Sequence, residues 1–177
     1  MATETEPRVR LTTGESGKPL VRMFLSFAKR DEAVARRLWD LLDEATAIDR
    51  VYEFRLWRAD EAILTGEEWD VRIKDALTKS ELGILALSNA FLGSKYITDV
   101  EVPALVDVPG KRALPLSLRQ VGGKADWHTL KNKQIYGHRL PFGRVRGSSA
   151  QDAWVNGLVA QLHRVLAEYG TPADGTW

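Results

Sequence analysis

Apolar positions along the chain change their period several times, and each change marks an element. After Pro19 the run "LVRMFLSFA" has a β-favouring core and predicts a first strand over residues 21–27. From Asp31 the period lengthens. Val34, Leu38, Leu41, Leu42 and Ala45 recur on one helical face, with Asp31 at the N-cap position. "VYEFRLWR" predicts a second strand over 52–58. The charged loop "ADEAILTGEE" then leads into a helix whose Trp69, Ile73, Ala76 and Leu77 share a face. Thr65 and Glu68 stand three apart and fit a capping box at its start. "LGILALS" (82–88) is apolar except at Gly83 and Ser88, the mark of a central parallel strand covered on both faces. A third helix is expected over roughly 94–107 and a strand over 112–118, where Pro115 implies an edge or a bulge. Residues 119–150 read as irregular, with a weak strand near Gln134–Tyr136. The last helix, 151–168, puts Trp154, Leu158, Leu162, Val165 and Leu166 on one face.

This alternation predicts an α/β fold: a flavodoxin-like three-layer sandwich with a five-stranded parallel sheet, order 2-1-3-4-5, and helices on both faces. The domain is expected over residues 20–169, after a polar flexible arm (1–19) and before a tail (170–177). In such sheets ligands bind beyond the carboxyl ends of the strands, where the strand order reverses. Here that crevice lies between the first and third strands. Topology alone lines it with Ser26, Phe27, Lys29, Arg30, Ser88 and the segment leading to Glu101. Phe27 offers a stacking ring, Lys29 and Arg30 offer charge for phosphates, and the serines offer short hydroxyls. Equally, "KRDE" reads as an ordinary solvated helix start.

Glu101 poses the sharpest question. It lies between Val100 and Val102, and an ionised carboxylate resists burial among apolar neighbours. The ordinary reading is a carboxylate paired with a base or half exposed on a helix. Pro103 argues for more, because it lacks an N–H and clashes with the carbonyl of Asp99. A helix through this point is expected to kink or start late, leaving room for a ligand. No second carboxylate is forced into glycosidase geometry; Asp99 and Asp60 are candidates.

Composition narrows the classes. The 177 residues carry a formal charge of +1, so no global field draws the chain to nucleic acid or membrane. With no cysteine, disulfide scaffolds and Cys-based zinc sites are excluded. His128, His138 and His163 are scattered without ligand spacing, so no metal is expected. The N-terminus lacks an apolar signal segment, and no run reaches the roughly 20 apolar residues of a membrane span. A cytoplasmic location is the expectation. "GESGK" lacks P-loop spacing and precedes the first strand, and no G-x-G-x-x-G fingerprint is present. Phe27-Ala28-Lys29 stands where a receiver domain would carry an acidic metal-binding pair.

Three stretches together resemble the TIR (Toll/interleukin-1 receptor) domains, bacterial ones most closely, over about residues 20–118. "VRMFLSFAKRDEAVARRLWDLL" is similar to the family's first box. "WRADEAILTGEEWDVRIKDAL" is similar to the second box and its loop, with Arg58, Asp60 and Gly66 matching and Thr65 where many members carry Pro. "LALSNAFLGSKYITDVEVPAL" is similar to the third strand and the helix bearing the family's catalytic glutamate, which maps onto Glu101. Many members place an aromatic four residues before that glutamate; here Ile97 holds that place and Tyr96 is five before. An extra residue between Ser94 and Glu101 would explain the offset.

The resemblance implies one of two roles. Many TIR domains cleave the nicotinamide–ribose bond of NAD+, with NAD+ as substrate and no cofactor, and with linear or cyclised ADP-ribose as product. Others are non-catalytic TIR–TIR interaction modules. For the enzyme, Glu101 is the expected catalytic residue. Ser26, Phe27, Lys29, Arg30, Asp60, Trp69, Ser88, Ser94 and Tyr96 are the expected substrate-binding residues. Ala62, Ile63 and Leu64 form an apolar tip in a charged loop, which folds onto its own domain or docks on a second copy. The family implies the latter, in open-ended homotypic assemblies that extend to filaments, and implies a fused or separate sensor and a role in bacterial immunity.

Overall fold

The structure is a computed structural model that describes residues 8–57, 69–106 and 108–172. In chain order the strands are β1 (Val9–Leu11), β2 (Leu20–Ser26), β3 (Glu53–Trp57), β4 (Leu82–Leu87), β5 (Arg112–Ser117) and β6 (Gly170–Pro172). The helices are α1 (Glu32–Ala47), α2 (Trp69–Lys79), α3 (Asn89–Leu92), α4 (Val102–Val106) and α5 (Ser148–Tyr169), with a π-helical turn at Ile97–Glu101.

Four strands form one parallel sheet in the order β3-β2-β4-β5. β4 is central, and all six of its residues are buried because both faces are covered. Its side chains alternate between two cores. Leu82, Ile84 and Ala86 join Leu38 and Leu42 of α1 and Leu158 and Leu162 of α5. Leu85 and Leu87 join Ile73 and Leu77 of α2 and Leu105 of α4 on the other face. Each fully buried leucine contributes about 1.5–3 kcal/mol of transfer free energy, so this two-sided burial holds the layers together.

The expected five-stranded sheet is corrected in two ways. The segment near Gln134–Tyr136 makes a single parallel bridge, Leu116 with Tyr136, and not a fifth strand. Tyr136 N donates to Pro115 O at 2.9 Å, and Ser117 N donates to Tyr136 O at 2.8 Å. Pro115 has no N–H to offer on that outer edge, and Gly137 turns the chain away at φ +68°. The second correction concerns the ends. Within the expected arm, β1 pairs in parallel with β6, Val9 against Gly170 and Leu11 against Pro172. Val9 and Leu11 are buried, so this two-residue apolar alternation, too short to stand out beside polar neighbours, docks both ends of the domain on each other.

Gly83 shows how tightly the α4 face is packed. A Cβ there would come within 2.5 Å of the Leu105 side chain, which is itself fully buried. Leu105 must shift within the core to admit it. Gly83→Ala is therefore expected to destabilise the fold by about 1–3 kcal/mol, the usual cost of overpacking, read as a lower urea midpoint at unchanged m-value.

Candidate active site

The carboxyl ends of β2 and β4 open onto a cavity of about 630 Å³. β2 ends at Ser26, and the chain then runs through Phe27 and a 3-10 turn, Lys29–Asp31, into α1. β4 ends at Leu87, and Ser88 caps α3 by accepting a hydrogen bond from Phe91 N at 3.0 Å. The chain then passes Ser94 and Tyr96 into the π turn that ends at Glu101.

The π turn has a cause in the sequence. Pro103 cannot donate to the carbonyl of Asp99, so the α-helical pattern fails there. Val102 N instead donates to Ile97 O, five residues back. π-helix occurs mostly as such single-turn bulges, frequently at functional sites. Each π turn holds one residue more than an α turn. Tyr96, five residues before Glu101, and Ile97, four before, both line the cavity. The offset of one residue therefore keeps neither side chain from the cavity. Ile97 is buried in the α2/α4 core, while Tyr96 is half-buried and donates through its hydroxyl to Asp70 of α2 at 2.8 Å.

Glu101 is 7% exposed and Ser26 1%. Ser26 Oγ donates to Glu101 Oε2, the single hydrogen bond to this carboxylate among the described residues. Burial pushes the Glu101 pKa up from 4.5 to about 6, and the Ser26 hydrogen bond opposes that rise only in part. Phe24 and Ile73 supply apolar wall beside it. Phe24 is stacked on Trp57 with ring centroids 5.3 Å apart, which stiffens that wall.

The expected site residues divide into three groups. Ser26, Phe27, Lys29, Arg30, Ser94, Tyr96 and Glu101 line one cavity. Ser88 does not: it borders an adjoining polar hollow, where Ser88 Oγ donates to Asp31 Oδ2. Asp60, Ala62, Ile63 and Leu64 lie outside the described residues, as does the capping box at Thr65 and Glu68. Trp69 begins α2, and its side chain also lies outside them. Asp31 makes no side-chain cap to α1, against expectation. It is buried, 3% exposed, and is held by Ser88 and by Arg119 Nε at 2.7 Å. Asp31 competes for these partners because it sits between the end of β4 and the end of β5, a placement invisible to local spacing. Asp70 and Arg119 had no signal at all: one is an ordinary helix residue, the other lies in the irregular stretch after β5. Asp99 is exposed and does not line this cavity. Among the described residues no group of three His, Asp or Glu is arranged to hold a metal, and no helix is long and apolar enough to cross a membrane.

The fold is a parallel α/β sandwich with a buried carboxylate at its switch point. A family model for the TIR domain matches residues 23–139, well over half of the chain, and the chain belongs to the TIR domain family. Comparison with curated proteins gives no significant match.

The raised pKa fixes a sign for stability. Between pH 4.5 and about 6 the folded state binds the Glu101 proton more tightly than the unfolded chain does. Stability from this group is therefore lost as pH rises through that window, by about 2 kcal/mol in all at about 1.4 kcal/mol per unit. Glu101→Gln removes the charge and keeps the hydrogen bond to Ser26. It is expected to raise the melting temperature by roughly 4–8 °C at pH 7.5 and to leave it nearly unchanged at pH 4.5.

Proposed function

We propose that this TIR domain is an NAD+ glycohydrolase with Glu101 as its catalytic residue. The observation that carries this reading is a buried carboxylate without a basic partner among the described residues, at the floor of a cavity of dinucleotide-binding size. A structural carboxylate that stays ionised at that depth is ordinarily paired with a cation.

The chemistry needs only one acid. Nicotinamide leaves NAD+ as a neutral molecule, so no general acid is required. The C–N bond breaks with its electron pair going to the ring nitrogen, and positive charge builds on the ribose as in glycoside cleavage. A fixed carboxylate in a water-poor cleft stabilises that charge without reorganising. Ser26 holds one oxygen of Glu101, leaving the other for the ribose. Water then adds to the anomeric carbon and gives up its proton, yielding ADP-ribose; attack by an adenine nitrogen instead yields a cyclic product. Phe27 and Tyr96 supply rings for stacking, and Lys29 and Arg30 supply charge toward the pyrophosphate.

TIR domains interact homotypically, and the loop bearing Ala62, Ile63 and Leu64 is the proposed contact. It precedes α2, whose Asp70 holds Tyr96 at the cavity wall, so docking of that loop has a direct route to the site. A sensor, fused or separate, is the proposed source of the activating signal, with NAD+ depletion in bacterial immunity as the outcome.

Nicotinamide release from NAD+ tests the reading. Release is expected from the native protein, with a loss of at least 100-fold in Glu101→Gln, on the order of other single electrostatic catalytic groups. The rate should also fall below pH 6 with unit slope, because the protonated acid stabilises no charge. No release at any concentration, with self-association intact, would leave the scaffold role. A second measurement varies protein concentration. Specific activity is expected to rise steeply with it, and to lose that rise in Ile63→Glu; equal activity from dilute to concentrated protein would count against assembly.

A further inference from the structure

Beyond Arg30 the Glu101 cavity adjoins a second hollow of about 370 Å³, and Arg30 and Ala90 line both. Its polar wall is built on Asp31. Ser88 Oγ donates to one Asp31 oxygen and Arg119 Nε to the other, so this buried carboxylate is fully engaged. The arrangement grips Arg119 by its inner edge. The terminal nitrogens of Arg119 have no partner among the described residues, and its side chain is 51% exposed. Arg30 is exposed on the same rim. Two guanidinium groups therefore border one hollow, while the one acid among its described lining residues is already spent on Arg119. Like charges that share a rim repel, and an anion between them adds two attractions that outweigh that repulsion. A guanidinium held at Nε presents its outer edge in the planar fork that matches phosphate oxygens.

We propose that this hollow is a phosphoryl subsite, continuous with the Glu101 cavity, in which Arg119 and Arg30 hold a phosphate of the dinucleotide. The assignment rests on the NAD+ reading and extends it: Asp31 is a positioning residue that fixes Arg119, and the substrate runs from Glu101 past Ala90 toward the end of β5. The phosphate is one of the two in the pyrophosphate, which ADP-ribose, NAD+ and NADP+ share.

The experiment measures ADP-ribose binding by calorimetry to the native protein, Arg30→Gln and Arg119→Gln, alongside kcat/KM for nicotinamide riboside, NAD+ and NADP+. ADP-ribose affinity is expected to fall roughly 10- to 100-fold in each variant, the usual worth of a charge-assisted hydrogen bond. The kcat/KM for NAD+ should fall in step, whereas that for nicotinamide riboside, which has no phosphate, should not move. Equal losses for NAD+ and NADP+ are expected, because the two share the pyrophosphate; a loss confined to NADP+ overturns the assignment. Native protein that fails to bind ADP-ribose, or binding within twofold of native in Arg30→Gln, overturns the proposal. Arg30 is exposed, so its variant decides the matter if Arg119→Gln lowers the melting temperature. If binding falls in the variants and no nicotinamide is released by native protein, the subsite stands and the catalytic reading is the part that fails.

Discussion

The contact between Ser26 and Glu101 joins the last residue of β2 to the last residue of the π turn, and the site is organised around it. Holding a carboxylate out of water opposes folding, and its raised pKa records that opposition. The surrounding structure must therefore impose the position. β2 and β4 lie side by side in parallel, Ser26 opposite Leu85, so the segment leaving β4 returns beside the end of β2. Leu105 seats over Gly83 and anchors α4 directly behind Glu101. The two-sided core stabilises the sheet enough to tolerate the acid.

Two buried acids in this domain illustrate opposite solutions to the same electrostatic problem. Asp31 is saturated by Ser88 and Arg119 and ties the start of α1 to the ends of β4 and β5. Glu101 has one hydroxyl and otherwise a cavity. Burial is similar for both, so partners distinguish them. The paired acid is architecture that aims an arginine; the under-paired acid is the group with unspent capacity to stabilise a positive charge.

The π turn brings Tyr96 and Ile97 to the same cavity. One extra residue per turn brings Tyr96, displaced by one along the sequence, onto the wall that a helix would give to the position after it. Its bond to Asp70 then links that wall to α2 and so to the loop before it.

Much of this was legible in the chain because the signals are local. Apolar runs of strand length, helical spacing in α1 and α5, and the missing N–H of Pro103 each act over a few residues. From these follow the parallel order and the cavity mouth bordered by Ser26, Phe27, Arg30 and Glu101. Two-residue alternation in β1 was too short to read, and the segment at Tyr136, read as a weak strand, makes only a lone bridge; neither forms without its partner strand. Asp31 read as a helix cap because capping is local, whereas its actual partners come from 57 and 88 residues away. The sequence by itself determined the layers, the kink and the lone acid. Only the tertiary structure decided which charges meet, because pairing depends on distances through space that strand order creates and residue spacing does not encode.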